Sequence, residues 1–152
     1  MGRPWVLITG GTGFIGRHLV AALQSGGEEV VGLEAGVCGW TAAKPFGSSS
    51  SAQRADFGTL AAGATIVHLA DGLTRYEGQQ ISFDHEQTAL VLKPSLELAR
   101  LAREAGVAKL IYASSIRAMA GESATHRLSE ADEPRPACLY GRLKLAAERE
   151  LA

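Results

Sequence analysis

A chain of 152 residues, 46% hydrophobic and 20% charged, has the length and composition of one globular domain with a core of its own. A formal net charge of -1 supplies no general attraction to nucleic acid or to an anionic membrane surface. The two cysteines, Cys38 and Cys138, form no CxxC spacing, which argues against a disulfide framework and against a thiolate metal site.

The N-terminus, MGRPWVLITGG, offers only a few apolar residues before its glycines, too short a run for a signal sequence or a membrane span. Gly2 and Arg3 do not lead into a myristoylation pattern. A soluble protein of the reducing cytoplasm is expected.

Val6 to Thr9 (VLIT) reads as a short buried strand, and apolar residues at helical spacing follow from Phe14 to Leu23. Between them Gly10, Gly13 and Gly16 stand in GGTGFIG. Glycines at a strand-to-helix turn let the backbone approach a pyrophosphate, whose charge then faces the unpaired N–H groups of the helix N-terminus. A plain tight turn is the alternative reading of the same residues.

Glu29 to Leu33 predicts a second strand, ending beside Glu34. A carboxylate there would accept hydrogen bonds from a ribose diol and repel a 2'-phosphate, so NAD is expected in preference to NADP. Arg17, just past the glycine loop, is the residue that could favour a 2'-phosphate instead. Residues 35 to 55, with their GSSSS run, show no period and read as a surface loop.

Thr65 to Leu69 and Leu110 to Ser114 predict two further strands, each expected to be buried on both faces. A long helix is expected from about residue 84 to 105, with a kink or break at Pro94. After Pro134 and Pro136, residues 139 to 151 read as a final amphipathic helix. Strands alternating with helices imply βαβ units and a parallel sheet. His68, within an apolar strand and without metal-ligand spacing around it, reads as a packed histidine, and Tyr112 as a packing residue.

The separated motifs resemble one family. TGGTGFIG (Thr9 to Gly16), Asp56-Phe57, VHLA (Val67 to Ala70), GVAKLIYASS (Gly106 to Ser115) and YGRLK with Glu148 occur in the order and at the spacings of the extended short-chain dehydrogenase/reductases, the group of NAD-dependent epimerases and dehydratases. The resemblance implies an α/β fold: a Rossmann-like, doubly wound, three-layer parallel sheet, with residues 1 to 152 forming one NAD(P)-binding domain. It further implies cofactor contacts from Gly10, Gly13, Phe14, Ile15, Gly16, Glu34, Asp56, Phe57, Leu69, Ala70 and Lys144.

The catalytic set implied is Ser115, Tyr140 and Lys144. Tyrosine ordinarily titrates near pH 10. A lysine one helical turn away would stabilise the phenolate that takes the substrate's hydroxyl proton, and Ser115 would bind the reacting oxygen. Ser114 is the alternative to Ser115. The resemblance also implies a small hydroxylated substrate such as a nucleotide sugar, handled by an oxidoreductase or an isomerase.

Departures from the family pattern qualify this expectation. The chain contains no asparagine, so the residue many relatives carry on the long helix is replaced near Val91, and Ile116-Arg117 stand where dehydratases have Asp-Glu. Only eight residues follow Lys144 (152 minus 144), so a truncated cofactor domain without the usual C-terminal substrate lobe is expected. Three functions stay open: part of an epimerase or oxidoreductase, a non-catalytic NAD(H)-binding module, or an inactive fragment. A homodimer through Leu90, Leu96 and Leu101 on the long helix and Leu143, Leu145 and Leu151 on the last one is one reading of those leucines; core packing is the other.

Overall fold

The structure, a computed structural model, describes residues 5–36, 39–46, 57–70, 85–121 and 127–152. Its sheet has five strands in the order β3-β2-β1-β4-β5: β1 (Val6–Thr9), β2 (Val30–Gly36), β3 (Gly39–Pro45), β4 (Thr65–His68) and β5 (Lys109–Tyr112). β1 pairs in parallel with β2 and β4, and β4 with β5. This is the Rossmann-like arrangement expected. The helices are α1 (Phe14–Ser25), α2 (Phe57–Ala61), α3 (His85–Glu104), α4 (Ile116–Met119) and α5 (Leu139–Leu151).

Tertiary contacts divide the chain into two units, Met1–Ala70 with Glu97–Ala113, and Asp71–Leu96 with Ser114–Ala152. The first holds the whole sheet. Because successive strand residues face opposite sides, Leu7, Val31, Leu33 and Ile66 form one core with Leu98 and Ala102 of α3, while Ile8 and Val30 form another with Val20 of α1. Helix, sheet and helix thus make three layers. Each of the leucines and isoleucines fully buried here contributes about 1.5–3 kcal/mol relative to exposure.

Three expectations are corrected. Part of the 35–55 stretch, expected to be a loop, forms β3, which runs antiparallel to β2 with Ala35 opposite Trp40 and Glu34 opposite Thr41. Trp40 is buried in the first core, and that burial compensates for the weak strand propensity of GWTAAKP. Second, of the kink or break expected at Pro94 the break does not occur, since α3 runs on through it. Third, β5 is not covered on both sides. It lies at the end of the sheet, with Lys109 and Ile111 exposed and Leu110 and Tyr112 half-buried.

In the second unit α4 and α5 pack together. Gly141 lies so close to the carbonyl oxygen of Arg117 that an added Cβ would collide with it. Arg135 N–H donates to the carbonyl of Met119 at 2.8 Å, joining the segment before α5 to the end of α4. Leu143 and Leu145, two of the leucines considered for a dimer face, are buried; the side chain of Leu90 lies outside the described residues.

Candidate functional site

The first group of candidate residues belongs to the sheet unit. Gly10 ends β1 with a positive φ of 67°, a conformation that costs glycine nothing and strains other residues. It also lies close to the segment that follows β4, since a Cβ on it would stand 3.0 Å from Ala70 N. Gly13 N–H donates to Gly10 O at 3.0 Å, closing the turn. A Cβ on Gly16 would run into that same Gly10 oxygen. Glycine at these positions is therefore what lets the chain double back onto α1.

Gly13 is the N-cap of α1 and supplies no side-chain cap, and the first turn contains no acid. The first intrahelical bond is Arg17 N–H to Gly13 O. The N–H groups of Phe14, Ile15 and Gly16 precede it, and with the helix dipole they make an electropositive cradle. Phe14 and Ile15, the first two residues of α1, leave two large apolar side chains side by side 73% and 63% exposed. Arg17 lies over the Phe14 ring at 5.1 Å from its centroid, and His18 meets that ring edge-on.

Leu33 is level with Thr9 in the β1–β2 register, so Glu34, exposed, stands one residue further out, level with the start of the glycine loop. It is not the strand's last residue, because β2 runs on to Gly36 in its pairing with β3. Phe57 opens α2 half-buried against the first core, while Asp56 lies outside the described residues. Loop, exposed apolar pair and carboxylate form a set that fits a dinucleotide: donors for a pyrophosphate, apolar surface, and an acceptor for a ribose.

Sequence reasoning missed Thr9. Fully buried, it holds Leu69 and Ala70, whose N–H groups both donate to its Oγ1 at 3.0 Å. The same oxygen lies 2.6 Å from His68 Nδ1. His68 is packed as expected, edge-on to Trp40 and tilted against Tyr112, both at 5.6 Å between centroids. A polar residue ending an otherwise apolar strand was the available signal. No group of three or more potential ligands forms a metal site among the described residues.

The second group lies in the other unit. Tyr140 and Lys144 share one face of α5, and Lys144 Nζ is 5.8 Å from the Tyr140 ring centroid. Lys144 is 3% exposed, Tyr140 half-buried. The two serines differ in role. Ser114 Oγ donates to the Glu148 carboxylate. Ser115 is the N-cap of α4, its Oγ accepting from Arg117 N–H at 3.3 Å. An acceptor bond to Arg117 leaves the Ser115 proton for another oxygen, whereas the Ser114 proton is committed.

The pattern of the NAD dependent epimerase/dehydratase family matches residues 6–152. Among solved structures, MoeE5 in complex with UDP-glucuronic acid and NAD is 31% identical with a TM-score of 0.69, over 97% of this chain and 48% of that one. UDP-glucose 4-epimerase from Thermotoga maritima, with UDP-glucose, has a TM-score of 0.68 at 23% identity, over 96% of this chain and 49% of that one, a likeness of fold. A curated relative, methionine adenosyltransferase 2 subunit beta of Danio rerio, is 29% identical over 146 residues, 96% of this chain and 43% of its own length. The chain thus spans about half the length of the relatives it matches. With a glycine loop, sheet order and matched span that agree from β1 to the end of α5, the chain belongs to the NAD-dependent epimerase/dehydratase family.

Proposed function

We propose that the chain is the NAD-binding part of an epimerase or oxidoreductase acting on a nucleotide sugar or a similar hydroxylated substrate. The observation that carries this is the uncapped start of α1 beneath a glycine turn in which Gly10 and Gly16 leave no room for a Cβ. Gly10, Gly13 and Gly16 would admit the pyrophosphate, Phe14 and Ile15 would cover it, Glu34 would take the ribose hydroxyls, and Leu69 and Ala70 would line the far side. Support for NAD comes from MoeE5, whose complexes hold NAD with UDP-glucuronic acid or UDP-glucose.

Bound nicotinamide supplies a hydride acceptor. Tyr140, as phenolate, takes the proton of the substrate hydroxyl. Lys144, one turn along α5 and facing the Tyr140 ring, would stabilise that phenolate by its charge and is the residue of this helix that would hold the nicotinamide ribose. Ser115 donates to the reacting oxygen, a role favoured over Ser114 by the hydrogen-bond inventory above.

A second reading is favoured by the relative named as a subunit of methionine adenosyltransferase. In it the chain is a cofactor-binding module that pairs with another protein and turns nothing over. Titration of the 152-residue chain with NADH and NADPH is the first test. Saturable NADH binding, lost in Gly13→Asp, is expected under both readings; a folded chain that binds neither nucleotide would overturn both. Turnover of a UDP-sugar on adding a separately made C-terminal half of a relative, abolished by Tyr140→Phe, would then select the enzyme.

A further inference from the structure

We infer that His68 is a positioning residue for the cofactor site, acting through the Thr9 hydroxyl and not by contact with any ligand; the inference rests on the NAD-binding reading above. A hydroxyl has one proton and two lone pairs. At Thr9 both lone pairs are engaged, by Leu69 N–H and Ala70 N–H at 3.0 Å each. The remaining contact, 2.6 Å to His68 Nδ1, must therefore use the Thr9 proton. Nδ1 accepts and carries no proton, which assigns His68 as the neutral Nε2–H tautomer.

The direction of this bond matters because of what Thr9 holds. Leu69 and Ala70 follow β4 directly, Gly10 lies so near that a Cβ on it would stand 3.0 Å from Ala70 N, and all three belong to the proposed cofactor site. With Nδ1 as acceptor, the Thr9 proton is drawn away from the two amides, and its lone pairs stay aimed at them. If the acceptor is removed, the buried hydroxyl must send its proton elsewhere, and it competes with one of the two N–H groups for space. The turn that lines the site then loses a tether. His68 is itself 2% exposed, with Trp40 and Tyr112 rings against it, so its ring is held in place to serve as that acceptor.

Two substitutions separate this role from simple packing. His68→Asn can place its Oδ1 near the Nδ1 position but leaves the ring volume unfilled; His68→Phe keeps the volume and removes the acceptor. NADH titration of the 152-residue chain should show His68→Phe weakened on the order of tenfold and His68→Asn close to wild type. The reverse order, or no change in either, would overturn the inference. If both variants bind poorly, the nitrogen shifts of His68 in the wild type decide: a pyridine-like Nδ1 with a protonated Nε2 sustains it, and a protonated Nδ1 overturns it. A wild type that binds no NADH would refute the cofactor reading alone. Amide exchange at Leu69 and Ala70 would then judge the tether, with faster exchange in His68→Phe but not in His68→Asn as the supporting result and equal rates as the refuting one.

Discussion

Gly141 packs directly on the carbonyl oxygen of Arg117, and this contact sets how closely α5 approaches α4. The residue before it is Tyr140. An added methyl group has nowhere to go, since the Pro136 side chain closes the other side with Cβ only 3.1 Å away. Gly141→Ala should therefore destabilise the chain by about 1–3 kcal/mol, as overpacking does, despite alanine's better helix propensity. Urea unfolding of both proteins checks this; an unchanged or raised midpoint would contradict the contact.

At the glycine loop, two variants should fail for different reasons. Gly16→Ala drives its Cβ into the Gly10 oxygen, so both stability and NADH affinity should drop. Gly13 is exposed, and a Cβ on it would meet only Gly10 O, at 3.2 Å; because aspartate is a good N-cap, Gly13→Asp should lower the melting temperature far less than Gly16→Ala, while a carboxylate beside the pyrophosphate cradle lowers NADH affinity at least tenfold, about 1.4 kcal/mol. Comparing thermal melts with nucleotide titrations separates the two effects.

The serines should also separate. Ser115→Ala removes the cap of α4 and costs about 0.5–2 kcal/mol; under the proposed catalytic reading, activity restored with a relative's C-terminal half should lose kcat as well. Ser114→Ala removes only the bond to Glu148, and its effect should be confined to stability. A larger fall in kcat for Ser114→Ala would exchange the two assignments.

On α3, Arg100 bridges Glu97 at 2.9 Å and Glu104 at 2.6 Å, all three exposed side chains. The hydrogen bond from Arg100 holds the Glu97 carboxyl below its ordinary 4.5. A depressed carboxylate stabilises the fold above its unfolded value, and that contribution is lost as pH falls through the folded one. The difference in urea midpoint between wild type and Arg100→Ala should be small at neutral pH and should vanish once acid has protonated the Glu97 carboxyl, or in about 1 M salt. A difference that persists in acid would point to packing by the arginine stem.

How much of this was readable in advance depends on what each segment uses to form. β1, β4 and α1 announce themselves through apolar periodicity and glycine punctuation, and their predicted bounds agree with the structure to within a few residues. β3 does not: GWTAAKP has no alternation and few strand-formers, and becomes a strand because β2 offers an edge and Trp40 finds a core. Pro94 implies a kink or a break because proline lacks an N–H, yet one missing hydrogen bond does not end α3, which runs on across it. At the site, the glycines and the Tyr140–Lys144 spacing were legible since both are local in sequence. The link between Thr9 and His68 was not, because it depends on the parallel register of two strands 59 positions apart (65 minus 6).

That register also bears on the order in which the sheet assembles. Ala35 and Trp40 are five positions apart, whereas Val6 meets Thr65 across 59 and Thr65 meets Lys109 across 44. A hairpin of local contacts closes in roughly 1–10 μs, and pairings that must first close long loops wait on chain entropy. The β2–β3 pair is therefore the one piece of the sheet able to form before any other strand has arrived, and the strand that sequence periodicity hid is the one that folding can reach first.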